Sequence, residues 1–477
     1  MFQSNKLLSS LGLVMSAAIV GAIPPPTTNL VSRDTNPSPV IIQMFQWNWD
    51  SVAKECTEFI GPAGYSYVQV SPATEHAAGD EWYFDYQTVS YNLDSRRGNA
   101  DQFANMINSC KNAGVAVLLD TCWNHMSGTY EGNGVGGSSF KQYEYPGFYS
   151  PEHFHHCGTK GDGIEDYSDK YQVQNCQLAN LADLKTEDDY VRKTIMQHAN
   201  DMLDMGVAGF RLDAAKHIPM EDLNAIFGGL SRKPFITSEV IGSGPPIPQT
   251  DYTGLGLVSA SDYQDMLQKA LRSDGLVSLQ DIENKVGGLR SDQANTWVNN
   301  MDSERGLDGG GITYKEGKLY ALAHVFALTH PFGTPTVLSS YEFNDVNAGA
   351  PNGGTGTCDG NAGSNGWICQ HRWTAISNLV KFRSATSGAP LTNWQSGSPD
   401  QIAYERAGKG FVVINNSDGD WSNSWTCGLP DGIYCDVVSG SKDGSQCTGS
   451  SINVSGGTCS GTAPARNALA VYTDSKL

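Results

Sequence analysis

The chain has 477 residues, a formal net charge of −19, 53 glycines and 10% aromatic residues. It is too long for one small core and points to a large barrel or sheet with satellite domains. The acidic balance argues against nucleic acid and anionic membrane as partners, since both need a basic face.

Residues 1–22 read as a secretory signal peptide. Lys6 supplies the positive charge, Leu7 to Val20 is apolar or small, and Val20-Gly21-Ala22 offers a small-residue cleavage site. The proline-rich stretch over 23–38 reads as a linker or propeptide. Eleven cysteines suit an oxidising compartment, so a secreted, extracellular protein is expected. The odd count leaves one thiol over. Cys122, at the end of an apolar strand pattern, is the candidate. Asn415 and Asn453 open N-glycosylation sequons.

Short apolar strands then recur with helical segments between them. They begin near Ile41, Tyr67, Val115, Gly209, Phe235, Leu257, Thr296 and Thr336, the sixth being the weakest signal. Thr186 is expected to cap the helix that carries Val191, Ile195, Ala199 and Met202 at helical spacing, with Gly206 ending it. Alternating strand and helix over some 350 residues indicates an α/β fold, a (β/α)8 TIM barrel over 39–125 and 186–390. A doubly wound open sheet is the alternative, weakened by the lack of a Gly-x-Gly-x-x-Gly after the first strand. Residues 126–185, with Cys157 and Cys176, are too long for an ordinary loop and read as an inserted small subdomain after strand 3. Residues 391–477 change to short alternating strands, a C-terminal all-β sandwich domain.

Charged residues gather where the barrel strands end. The third strand runs into Asp120-Thr121-Cys122-Trp123-Asn124-His125, and the fourth carries Arg211 and Asp213 two residues apart, hence on one face. The fifth ends at Glu239 and the seventh runs into Asn300-Met301-Asp302. In a (β/α)8 barrel these ends form the active-site mouth. Arg211 beside Asp213 favours an ionised carboxylate.

These four motifs, in this order, resemble the α-amylases of the (β/α)8 glycoside hydrolases, and Met44-Phe45-Gln46-Trp47, Val89-Ser90-Tyr91 and Gly206-Val207-Ala208-Gly209-Phe210 look closest to the animal-type branch and its microbial relatives. The resemblance implies a secreted endo-acting enzyme that hydrolyses internal α-1,4-glucosidic bonds of starch and glycogen with retention. Asp213 would be the nucleophile, Glu239 the acid/base raised in pKa by neighbouring carboxylates, and Asp302 a transition-state stabiliser. Trp82, Tyr83, Tyr86, Gln87, His125, Arg211, Lys216 and His217 would contact the glucan. A structural Ca2+ would be held by Asn124 and Asp183 side chains and by the carbonyls of Gln174 and His217. The bridges Cys56–Cys110, Cys157–Cys176, Cys358–Cys369 and Cys447–Cys459 follow from the resemblance, and Cys427–Cys435 by elimination. A monomer is expected.

The chain departs from the family at two positions. Met301 stands where a histidine normally donates to the sugar, and a thioether cannot donate. Thr336 stands where animal-type members place the second basic chloride ligand, so with only Arg211 and Asn300 matched, chloride is not expected. A transglycosylase, an exo-acting hydrolase and a weakened glucan binder remain the competing readings.

Overall fold

The computed structural model describes residues 39–477, so the signal peptide expected over 1–22 and the linker over 23–38 lie outside the described residues. Eight parallel strands close into a barrel: β1 (Ile41–Met44), β2 (Tyr67–Val70), β3 (Ala116–Cys122), β4 (Gly209–Asp213), β5 (Phe235–Ser238), β6 (Leu257–Ser259), β7 (Ala294–Trp297) and β8 (Thr334–Ser339). Each pairs with its sequence neighbour, and β8 returns to β1. The open-sheet alternative is thereby excluded. Among the described residues no helix is long and apolar enough to cross a membrane.

Register does much of the placing. Leu118 lies opposite Gly209, Asp120 opposite Arg211 and Cys122 opposite Asp213. Opposed residues of parallel strands project to the same face, so these pairs enter the barrel side by side. Phe210 and Leu212 alternate outward and are buried. Phe210 meets Trp123, which also packs on Phe227 of the helix Met220–Gly228. Gly209 has no room for a side chain, since a Cβ there would lie 2.0 Å from the Phe235 carbonyl oxygen.

The helix Asp189–Met205 is capped by Asp188, whose carboxylate accepts from the Tyr190 and Val191 N–H groups. The expected cap, Thr186, instead donates its hydroxyl to Asp222 at 2.9 Å. Gly206 ends the helix as expected, at φ +108°.

The inserted segment leaves and re-enters the barrel at one place. His125 bridges Asp183, Met126 N–H donates to Ala182, and Leu184 N–H donates to Asn124. Within it, Phe140, Tyr145 and Phe154 pack together and Cys157 bonds Cys176.

The C-terminal part is two four-stranded antiparallel sheets. One contains β9 (Leu391–Ser396), β10 (Gln401–Arg406), β11 (Gly410–Asn415) and β16 (Asn467–Tyr472). The other, in spatial order, is β12 (Trp421–Thr426), β15 (Thr458–Ala463), β14 (Ser451–Ser455) and β13 (Gly432–Cys435). Strand β11 is buried on both faces: Phe411 and Val413 join the core between the sheets, while Val412 and Ile414 join the main core.

Cys56–Cys110, Cys157–Cys176 and Cys358–Cys369 are bonded and Cys122 is a buried free thiol, as expected. The other two expected bridges are corrected. Cys427 bonds Cys459, and Cys435 bonds Cys447. Strands β12 and β15 are hydrogen-bonded neighbours, so Cys427, just past β12, meets Cys459 on β15, whereas Cys435 ends β13 at the opposite edge of the sheet.

The two sequons also differ. Asn415 is fully buried and its amide donates to the carbonyls of Gly419, Ala463 and Pro464. Asn453 is exposed on β14. Mass mapping of non-reduced peptides is therefore expected to find Cys427–Cys459 and Cys435–Cys447. Glycan is expected at Asn453 alone, and a glycan on Asn415 would contradict this packing.

Candidate active site

Arg211 is the centre of the site. Its side chain is 9% exposed and charge-paired on three sides. One guanidinium nitrogen donates to Asp120 Oδ1 at 2.9 Å and to Asp213 Oδ1 at 2.6 Å; the other donates to Glu239 Oε1 at 2.5 Å. Tyr86 donates its hydroxyl to the second Asp120 oxygen at 2.9 Å. Just after β4 the backbone turns left-handed at Ala214, φ +49°. This non-glycine strain aims the Ala214 N–H at Glu239 Oε2, 2.8 Å away.

One cation cannot neutralise all the acids gathered here. Burial is the largest influence on Glu239 and raises its pKa; the Asp213 charge adds to this, while Arg211 and the Ala214 N–H oppose it. The raised pKa was expected from neighbouring carboxylates, but desolvation is the greater cause. Burial likewise pushes Asp302 well above the usual carboxyl range, with Glu239 adding to it, and Asp120 up to about 7. Burial pushes His125 and His217 down to about 4, which leaves both imidazoles neutral at pH 7.

Above these groups opens a cleft of about 700 Å³. Asp213, Glu239 and Asp302 all reach it, as do Trp82, Tyr83, Tyr86, Gln87, His125, Lys216 and His217. Arg211 does not line the cleft. It borders a smaller polar cavity of about 30 Å³ beneath Glu239, shared with Asn300 and Thr336. Its place is therefore under the carboxylates rather than against a sugar. Met301 borders both spaces, and its sulfur accepts from the Gln43 amide at 3.3 Å.

The expected calcium residues meet in two pairs. Asn124 and Asp183, both buried, have side chains 3.1 Å apart. His217 Nδ1–H donates to the Val173 carbonyl at 2.8 Å, which brings His217 beside Gln174. His155, absent from the expected set, donates to Asp183 Oδ2 at 2.7 Å and reaches Glu187 at 2.9 Å.

Other cleft residues had no signal in the sequence. Tyr167, Leu178 and Leu181 of the inserted segment form one wall, and Leu307 and Asp308 of a glycine-rich loop form another. Arg305 is the least expected. It is buried, and its guanidinium lies 4.6–5.3 Å from the ring centres of Phe45, Trp82, Tyr341 and Phe343. It also donates to the Met301 carbonyl at 3.0 Å. The Trp82 wall and the Asp302 segment are thus held by one cation.

Residues 58–235 match the alpha amylase catalytic domain, and residues 392–474 match the alpha amylase C-terminal all-beta domain. An alpha-amylase of Streptomyces violaceus is 41% identical over 89% of this chain and 74% of its own length. One from the scallop Pecten maximus is 38% identical over 93% of each chain. The crystal structure of alpha-amylase I from the earthworm Eisenia fetida superposes with a TM-score of 0.87 at 32% identity, over 92% of this chain and 98% of that one. A variant of the earthworm enzyme has been solved as a complex with maltohexaose. On its two domain matches, its curated relatives and its barrel with acids at the strand ends, the chain belongs to the alpha-amylase family and is a glycoside hydrolase.

Proposed function

We propose that this protein is a secreted, endo-acting α-amylase that cleaves α-1,4-glucans with retention. The observation that carries the reading is the single guanidinium of Arg211 spanning Asp213 and Glu239 at the base of a sugar-sized cleft. Sharing one guanidinium keeps the two carboxyl groups close together, the arrangement of a retaining pair. Arg211 holds Asp213 Oδ1, which leaves Oδ2 to attack the anomeric carbon as the glycosidic bond breaks. Glu239, its pKa raised by burial, gives its proton to the departing oxygen. It then takes a proton from water, which displaces Asp213 from the anomeric carbon. Asp302 binds hydroxyls of the reacting sugar, and the aromatic and basic residues of the cleft seat the flanking glucose units. Maltohexaose, the ligand in the earthworm complex, is a substrate of the class expected here. Five disulfides suit an extracellular location, and the reading treats the protein as a monomer.

Asp213→Asn and Glu239→Gln are each expected to lower kcat on soluble starch by at least ~1000-fold. Met301→His is expected to raise kcat, by up to ~100-fold, because an imidazole donates where charge develops on the sugar. Hydrolysis that survives Asp213→Asn would overturn the mechanism. A wild type inactive until Met301→His restores it would identify a weakened glucan binder.

The sign of the pH dependence follows from Glu239. It acts as an acid, so activity is retained below its folded pKa and lost as pH rises through it. Burial places that pKa above the ordinary 4.5. The alkaline limb of kcat/KM is therefore expected above pH 4.5, and a limb below that value would remove Glu239 from the acid role.

Asn124, Asp183 and the carbonyls of Gln174 and His217 would hold a structural calcium ion. The site fits a hard cation: burial pushes Asp183 up to about 6, although His155 and Asn124 hydrogen-bond it. A bound calcium would clamp the inserted segment to β3 and stabilise the fold. Chloride is not part of the reading, because Arg211 is taken up by three carboxylates and Thr336 brings no charge. Calcium at ~100 times its dissociation constant is expected to add about 2.7 kcal/mol of stability. Chelation should lower Tm and calcium should restore it. Unchanged melting, with no calcium in metal analysis, would rule the site out.

A further inference from the structure

Cys122 stands beside the nucleophile for a reason of register. It faces Asp213 across β3 and β4, and its thiol donates a long hydrogen bond of 3.7 Å to Asp213 Oδ2. That oxygen is the one Arg211 leaves alone. His125 Nε2 lies 4.0 Å from the same oxygen. The three ligand atoms are within 4.8 Å of one another.

We propose that Cys122, His125 and Asp213 form an inhibitory site for a thiophilic divalent ion of the zinc class, one that occupies the nucleophile and excludes the glucan. Tetrahedral zinc with ordinary bond lengths sets S, N and O ligands roughly 3.3–3.7 Å apart. The pair Sγ and Oδ2 already has that spacing at 3.7 Å, and the imidazole Nε2 closes on Oδ2 from 4.0 Å. A sulfur, a nitrogen and a carboxylate oxygen together select Zn2+, Co2+ or Cu2+ over Ca2+ and Mg2+. The ion enters from the cleft, which His125 and Asp213 both line. A fourth position stays open toward the cleft for water.

Binding balances as an exchange of protons for metal. The thiol proton leaves to solvent. The imidazole proton, now on Nε2 and donated to the Tyr86 carbonyl at 3.1 Å, moves to Nδ1, and the Asn124 amide, 3.4 Å from Nδ1, turns away from it. The ion bonds Sγ, Nε2 and Oδ2, and no oxidant or reductant takes part. Giving up the Tyr86 hydrogen bond limits affinity, so the ion acts as a reversible inhibitor.

The inhibitory effect rests on Asp213 being the nucleophile; the binding does not. The test therefore reads the two separately, on the full secreted chain with its disulfides intact and calcium saturating. Co2+ titration of the wild type is expected to give a sulfur-to-cobalt charge-transfer band in the near ultraviolet. Zn2+ is expected to inhibit starch hydrolysis competitively and reversibly by chelator. In Cys122→Val, with each rate normalised to its own metal-free value, the band is expected to vanish and the zinc inhibition constant to rise by about 10-fold or more. Cys122→Ala serves as a second variant, and the Tm of each confirms folding. A wild type without the band, or a band and zinc sensitivity unchanged in both variants, overturns the site. A thiol-dependent band with no loss of hydrolysis upholds the site and overturns Asp213 as the nucleophile.

Discussion

Everything chemical in this molecule depends on one buried arginine. Burying Arg211 without partners would be prohibitive, and so would burying Asp120, Asp213 and Glu239 without a cation. Each makes the others tolerable. Because the acids outnumber the cation, burial raises the pKa of Glu239, and of Asp120 and Asp302 with it.

A second buried arginine organises the rim. Arg305 sits among four aromatic rings and holds the Met301 carbonyl. Trp82 lies on the loop after β2, and Asp302 follows β7. A cation packed between them fixes the distance from a cleft-lining ring to a carboxyl group, so its role is positional. The inserted segment completes the other wall, and its two ends are stitched together at Asn124 to Met126 and Ala182 to Leu184. Asn124 and Asp183 of the expected calcium set lie at this seam.

Two uncharged side chains beside the acids follow the same physics. Met301 cannot donate, yet it is not idle: it fills the floor between cleft and inner cavity, and its sulfur takes a hydrogen bond from Gln43. Cys122 brings a thiol within reach of Asp213, where its strand register puts it. Both sit in the innermost layer of the barrel, against the carboxylates of the cleft.

Much of this was legible in the chain itself. The strand–helix alternation named the barrel, since buried parallel strands must be apolar runs. The four acids could be found because an acid at the end of such a run is costly without a purpose. The spacing of Arg211 and Asp213 put them on one face because strands have a period of two. Other features needed the folded molecule. The partners of Cys427 and Cys435 depend on which strands are neighbours, and sheet order is not sequence order. Asn415 carries a sequon, but only packing shows its amide spent on three carbonyls. Arg305, His155 and Asp308 sit in stretches with no pattern, and their roles come from residues tens to hundreds of positions away. Sequence determined which local elements and charges exist, because propensity and periodicity are local. Tertiary structure decided which charges meet and which are dried, because desolvation and pairing are properties of neighbours in space.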